Sequence, residues 1–199
     1  VSTTGWRSLS YAYRRFDEQF PGLDLNDVSE SEATQQVVRF YLNALGPATE
    51  GDVKWWTGLT LTQVRTALKD LRGELTEVYT AGLGQKMLAP KSWDSAASSQ
   101  EDNQKPQVSL LPFLDPYVMG YKDRQRYLDD RWATFVFDKA GNATSVILVD
   151  GKIAGVWDSG EARKGLVKVL YFEEPSAAVL TKVEEAVKGI VSLDRKSVV

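Results

Sequence analysis

The spacing of apolar and polar residues between positions 29 and 90 predicts three helices followed by a hairpin. The first helix begins after Ser29, which with Glu32 forms a capping box. It ends at Gly46 and Pro47, a pair typical of helix C-termini. Apolar residues follow at helical spacing and indicate its apolar face: Ala33, Val37, Phe40, Tyr41 and Ala44.

A short second helix and a later hairpin complete this pattern. The helix begins at Thr49, ends at Gly58 and has three apolar residues: Val53, Trp55 and Trp56. Residues 75–80 and 86–89 predict two strands, and Gly82 and Gly84 supply the turn between them. Three helices followed by a hairpin is the order of a winged helix-turn-helix, a fold whose third helix usually lies in a DNA groove.

The third predicted helix spans residues 61–71 and follows a capping box formed by Thr60 and Gln63. One stripe of this helix is apolar: Leu61, Val64, Leu68 and Leu71. The remaining surface carries the candidate DNA-binding residues: Thr62, Arg65, Thr66, Lys69 and Arg72. A groove-reading helix needs this division, because one side attaches to its own domain and the other meets phosphates and base edges. The alternative is an ordinary amphipathic helix with a solvated charged face.

The rest of the chain predicts a second domain. Residues 94–107 have the composition of a flexible linker, which divides a domain over residues 1–93 from one over residues 108–199. Strands are predicted in the second domain at residues 134–137, 143–149, 152–157 and 165–172, with Asp150-Gly151 as a hairpin turn. A last helix begins near Ser176. The predicted fold class is α+β, a winged helix-turn-helix followed by a small antiparallel sheet packed with a C-terminal helix.

Composition removes several classes of site. The 199 residues include neither cysteine nor histidine, so no disulfide, thiolate metal site or histidine triad is available. We predict no cofactor and no metal. A net charge of −3 argues against a strongly basic nucleic-acid binder, although a local patch can suffice. No apolar run reaches the roughly 18 residues of a membrane helix, so we expect no membrane partner and a cytoplasmic location. Because no initiator methionine is present, we expect a fragment or processed chain.

Residues 110–128 form a second candidate segment, with the sequence LLPFLDPYVMGYKDRQRYL. Asp115 and Pro116 predict a turn or helix start, with Asp115 accepting backbone N–H groups in preference to orienting a DNA contact. Lys122 and Arg124 are candidate DNA-binding residues. For Arg124 a local ion pair is an equal alternative. The following acid pair, Asp129 and Asp130, is expected to be solvated rather than catalytic.

Three segments in this order resemble a bacterial family of winged helix DNA-binding domain proteins: residues 42–71, 110–128 and 146–158. In the second segment a Leu-Pro precedes Asp115, and a Lys and Asp with Arg124 follow. In the third, glycine follows aspartate and Trp157 closes a strand. The resemblance implies tandem winged helices around damaged DNA. It also implies, for some members, a DNA glycosylase activity that excises alkylated bases or unhooks interstrand crosslinks.

The resemblance further implies catalysis through a Gln-apolar-Gln or Gln-apolar-Asp motif near the start of the full-length protein. This sequence contains no such triplet, so no catalytic residue is predicted. We therefore expect the C-terminal part of a glycosylase-like DNA repair protein that binds duplex DNA and excises no base by itself. The alternative is a non-enzymatic winged-helix protein that acts like a transcription regulator or binds another protein. The oligomeric state stays open.

Overall fold

A computed structural model describes residues 13–24, 27–79, 84–93, 105–160 and 166–196. Within these ranges the chain combines helices with antiparallel strands, as predicted. The helices are α1 Phe16–Gln19, α2 Glu30–Leu45, α3 Glu50–Thr57, α4 Leu61–Asp70, α5 Ala133–Val136 and α6 Ala177–Lys196, with 3-10 turns at Leu71–Gly73 and Asp130–Trp132. The strands are β1 Leu75–Tyr79, β2 Lys86–Pro90, β3 Val108–Leu111, β4 Val146–Val149, β5 Lys152–Asp158 and β6 Lys168–Tyr171.

Reciprocal capping boxes open α2, α3 and α4. In each box the N-cap hydroxyl accepts the backbone N–H three residues on, and that residue's side chain accepts the N-cap N–H. The pairs are Ser29 with Glu32, Thr49 with Asp52, and Thr60 with Gln63. The first and third were predicted. The second was missed because its acceptor is an aspartate rather than the glutamate or glutamine of the usual pattern.

The predicted apolar face of α2 is confirmed at Tyr41, which is buried, and is wrong at its other positions. Val37 is 39% exposed and Phe40 is 66% exposed. The buried residues lie on a neighbouring stripe: Val38, Tyr41, Leu42 and Leu45. Both stripes satisfy helical spacing, so periodicity alone could not choose between them. The contacts of α2 with α3, α4 and β2 bury the second stripe.

Strands β1 and β2 form the predicted hairpin after the three helices. They pair antiparallel, with Leu75 opposite Pro90 and Tyr79 opposite Lys86. Backbone hydrogen bonds between Ala48 and Leu88 attach β2 to the start of α3. Of the predicted turn, Gly84 adopts a positive φ of 60°, whereas residues 80–83, including Gly82, lie outside the described residues.

A second sheet has the strand order β3-β4-β5-β6, all antiparallel. The hairpin turn at Asp150 and Gly151 is confirmed, with φ values of 48° and 79°. The strand predicted at residues 134–137 is wrong, because a 3-10 turn capped by Asp129 leads directly into the helical turn α5. An isolated bridge between Phe137 and Ala143, outside the six strands, is the one β-bridge of this stretch among the described residues.

One hydrophobic core includes residues from both sides of the predicted linker. Tyr41 donates its hydroxyl to the Gly120 carbonyl at 2.8 Å, and Tyr121 donates to the Leu45 carbonyl at 2.7 Å. Burial raises the pKa of Tyr121 to about 12, which keeps this donor protonated. The two predicted domains therefore share buried contacts. Residues 94–104 lie outside the described residues, and the linker and domain boundaries stay predictions.

The C-terminal helix packs on the second sheet, as predicted. Val179 and Val183 of α6 pack against buried Ile147 of β4, and α6 also contacts β3. Strand β3 was not predicted. It is only four residues long and is followed at once by Pro112, and its partner β4 is distant in the sequence, with Val108 opposite Val149.

Candidate nucleic-acid interface

Helix α4 and the 3-10 turn that follows it present to solvent all five residues of the predicted third helix that were assigned to DNA binding. Val64, Ala67 and Leu68 are buried and attach the helix to its own core. The exposed surface carries Thr62, Arg65, Thr66, Lys69 and Arg72. The division of the helix into an attached side and a polar side, predicted from spacing, is present in the structure.

The basic residues of α4 lie in a groove between this helix and the hairpin. This cavity of about 650 Å³, here called the α4–hairpin groove, is lined by Arg65, Lys69 and Arg72 on one side. Gln85 and Lys86 line it from the hairpin. Sequence reasoning missed these last two residues. A lysine at the start of the second predicted strand was the available signal.

Two carboxylates also line the α4–hairpin groove. Arg65 Nε lies 2.9 Å from Glu50 Oε2, and the Lys86 ammonium pairs with Glu77. The hydrogen bond that Lys86 donates to Glu77 raises the pKa of Lys86, so this ammonium stays charged at neutral pH. Lys69 and Arg72 pair with no carboxylate in the part of the chain that the structure describes. The groove therefore contains two paired cations and two unpaired ones.

The threonines of α4 belong to a different depression. Thr62 and Thr66 line a shallow groove of about 290 Å³ between α4 and α2, together with Thr34 and Gln35. Glu30 is the charged residue on this side. The structure thus brings Arg65, Lys69 and Arg72 together, and it places the two threonines in a separate groove beside α2.

Asp115 and Pro116 form a turn rather than a helix start. Asp115 Oδ1 accepts the Tyr117 N–H at 2.9 Å, and the Asp115 carbonyl accepts the Met119 N–H at 2.9 Å. The chain continues as turns through residue 120. The predicted role of Asp115 as an acceptor for backbone N–H groups agrees with this geometry, and of the two predicted forms, a turn or a helix start, the turn is present.

Arg124 and Lys122 have different surroundings. The Arg124 guanidinium lies 3.4 Å above the centre of the Phe137 ring, and its Nη2 donates to the Gly141 carbonyl at 3.3 Å. The arginine is half-buried, whereas Lys122 is exposed. Arg124 thus has aromatic and carbonyl partners in place of the local ion pair considered from the sequence. Its contact with DNA stays a prediction.

A buried ion pair that the sequence analysis missed joins α3 to residues 115–128. Asp52 is fully buried, and its Oδ2 lies 3.4 Å from Arg126 Nη2. Asp52 Oδ1 accepts the Lys122 N–H at 2.9 Å, and its Oδ2 accepts the Thr49 N–H at 3.0 Å. The Arg126 guanidinium also lies 3.8 Å from the centre of the Tyr121 ring. The Thr49 capping box was the one local signal for this aspartate.

Comparison with known proteins identifies the family. The family model for DNA glycosylase AlkZ-like proteins matches residues 1–192. The chain belongs to the AlkZ-like DNA glycosylase family. The resemblance to a family that includes DNA repair glycosylases is therefore confirmed.

Both a curated protein and a solved structure from Streptomyces sahachiroi match this chain. An interstrand DNA cross-link repair glycosylase is 30% identical over 142 residues, which are 69% of this chain and 37% of that protein. The solved structure of the DNA glycosylase AlkZ matches with a TM-score of 0.72 and 24% identity, over 85% of this chain and 45% of that one. This likeness shows the fold, and the chain spans less than half the length of either relative.

A third cavity in this AlkZ-like chain is acidic. The cleft of about 710 Å³ is lined by Trp132 and Phe172, by the two basic residues Arg131 and Lys152, and by four acidic residues: Asp129, Asp130, Glu173 and Glu174. Both aspartates are exposed, and the hydrogen bonds from Arg131 lower the pKa of Asp129. Because these carboxylates repel phosphate, the cleft is a poor surface for a nucleic-acid backbone.

No cluster of three or more possible metal-binding carboxylates occurs among the residues that the structure describes.

Across the described ranges, every helix is too short or too polar to span a membrane.

Proposed function

We propose that this chain is a duplex-DNA-binding region of an AlkZ-like DNA repair glycosylase. In this proposal α2, α3, α4 and the β1–β2 hairpin form a winged helix-turn-helix, with α4 as the helix that approaches a DNA groove. The order of these elements and the solvent-facing basic side of α4 support it. The family membership supports DNA as the partner.

The α4–hairpin groove is the observation that carries this proposal. It gathers four cations, Arg65, Lys69, Arg72 and Lys86, on a chain whose net charge is −3. The two unpaired cations, Lys69 and Arg72, can each neutralise a phosphate without first leaving a carboxylate. Counterion release from those phosphates would supply a salt-dependent affinity.

Base excision is assigned to none of the residues of this chain. Both Streptomyces relatives are named as glycosylases, but the Gln-apolar-Gln or Gln-apolar-Asp motif that the family resemblance implies is not in this sequence. We propose that the chain contributes DNA binding to repair and releases no methylated base alone. Base release that is lost on mutating a residue of this chain would overturn that part of the proposal.

A salt-titrated binding curve with a labelled DNA duplex tests the proposed interface. We expect the double variant Lys69→Gln, Arg72→Gln to bind more weakly, with a salt slope shallower by about two, roughly one per lost phosphate contact. The matched control is Lys139→Gln, Lys188→Gln, which removes the same charge from exposed positions outside the groove. Equal losses in both double variants, or wild-type binding that ignores salt, would contradict the interface.

A further inference from the structure

Each carboxylate of the α4–hairpin groove is bound to one of the groove's cations. Glu50 is the first residue of α3 and pairs with Arg65 across to α4. Glu77 lies in β1 and pairs with Lys86 of the neighbouring strand β2. Glu50 also contributes to the raised pKa of Lys86, so both carboxylates act on the hairpin side of the groove. Half of the groove's cations are therefore occupied before any ligand arrives.

These pairs are exposed enough to exchange with phosphate. The Arg65 and Glu50 side chains are 62% and 42% exposed, and those of Lys86 and Glu77 are both 54% exposed. An exposed pair of this kind contributes little to stability, because water and salt screen it. A phosphate entering the groove can therefore displace a carboxylate from its cation. It meets two negative charges while doing so.

We propose that Glu50 and Glu77 limit the affinity of the groove for DNA by competing with phosphates for Arg65 and Lys86. This inference rests on the proposed function and extends it. Lys69 and Arg72 make the first phosphate contacts. Arg65 and Lys86 contact the duplex only where its phosphates displace their carboxylate partners. The groove thus holds duplex DNA loosely by default, which favours movement along it over tight non-specific binding.

The opposite role for the same carboxylates predicts the opposite result. If Glu50 served to orient the Arg65 guanidinium towards a phosphate, its removal would lower affinity. Under competition its removal raises affinity, because one negative charge leaves the groove and one cation is released. The sign of the change therefore separates the two roles.

The test compares Glu50→Gln and Glu77→Gln with wild type in binding to a labelled duplex at several salt concentrations. We expect each variant to bind several-fold more tightly, with a salt slope steeper by about one for each released cation. Glu185→Gln is the matched control, since Glu185 makes a similar exposed pair with Lys182 at 2.8 Å on α6. The control should bind like wild type. Thr49 and Asp52, which cap α3, stay intact in Glu50→Gln, and circular dichroism checks that it folds.

A double-mutant cycle adds a second readout. Combining Glu50→Gln with Arg65→Gln should remove most of the gain, because no released cation remains. An unchanged or weaker affinity in both single variants, with wild type still binding DNA in a salt-dependent way, overturns this inference and leaves the proposed function standing. Wild type that does not bind duplex DNA at all overturns the proposed function itself.

Discussion

The α4–hairpin groove and residues 115–128 contain the same kinds of basic residue in opposite settings. In the groove, Arg65, Lys69 and Arg72 are exposed, and the one ion pair among them is on the surface. In residues 115–128, Arg124 stacks on Phe137 and Arg126 pairs with the buried Asp52. Both regions contributed candidates for DNA contact in the sequence. Among the described residues, Lys69 and Arg72 of the groove have no carboxylate partner, whereas Arg124 and Arg126 make contacts that attach residues 115–128 to the rest of the fold.

This difference shows that the surroundings of an arginine indicate whether it acts in packing or in binding. A guanidinium that lies over an aromatic ring and donates to backbone carbonyls contributes to packing, and its replacement acts first on stability. A cation on the solvent side of an amphipathic helix contributes little to stability, and its replacement acts first on binding. Variants in the two regions should therefore fail in different assays.

The largest expected effect is on the buried pair. Asp52→Ala should lower the free energy of unfolding by about 3–5 kcal/mol, because it leaves the Arg126 charge buried without its partner. Urea denaturation measures this change. The control Glu185→Ala removes an exposed partner of Lys182 and should leave the unfolding midpoint nearly unchanged. If both variants unfold at the same urea concentration, the buried pair does not have the structural role given to it.

A smaller loss of stability is expected in the second sheet. A Cβ atom on Gly155 would lie 2.3 Å from the Leu170 carbonyl oxygen, so Gly155→Ala must displace β6. We expect a loss of about 1–3 kcal/mol with DNA affinity unchanged. Gly189→Ala is the control, since no neighbouring atom lies within 4 Å and alanine favours the helix. A Gly155→Ala protein that melts at the wild-type temperature would show that β5 and β6 tolerate a wider separation.

The smallest expected effect concerns Arg124. Arg124→Ala removes the contact with Phe137 and should lower stability by about 0.5–2 kcal/mol, the range of a cation–π interaction. Its affinity for duplex DNA and its salt slope should match wild type. Thermal melts and salt-titrated binding measure the two quantities separately. A wild-type melting temperature together with a shallower salt slope would instead assign Arg124 to the DNA-contacting surface. The contrast between the groove and residues 115–128 would then be weaker.

Local signals explain what could be predicted. The capping boxes at Ser29 and Thr60, the polar side of α4 and the Asp150-Gly151 turn each depend on residues a few positions apart. The face of α2 that is buried depends instead on α3 and α4, and Phe40 was consequently placed inside. The helical spacing of the sequence was therefore enough to predict that Arg65, Lys69 and Arg72 are exposed.

Contacts between residues far apart in the sequence explain which features could not be predicted. Asp52 and Arg126 are separated by 74 residues, and Arg124 meets a carbonyl 17 residues away. No spacing rule relates such positions, so the same arginines could be assigned to DNA or to the fold. Lys86 was missed for a similar reason, since its place in the groove depends on how the hairpin packs beside α4.

An NMR titration of the isotope-labelled protein with a DNA duplex at low salt tests the central claim most directly. The account predicts the largest changes in amide chemical shift at two places. One is residues 65–72, in α4 and the turn that follows it, and the other is Gln85 and Lys86 of the hairpin. Amides of residues 115–128 should move little. Large shifts confined to residues 115–128, with α4 unchanged, would contradict the assignment of the α4–hairpin groove as the DNA-binding surface.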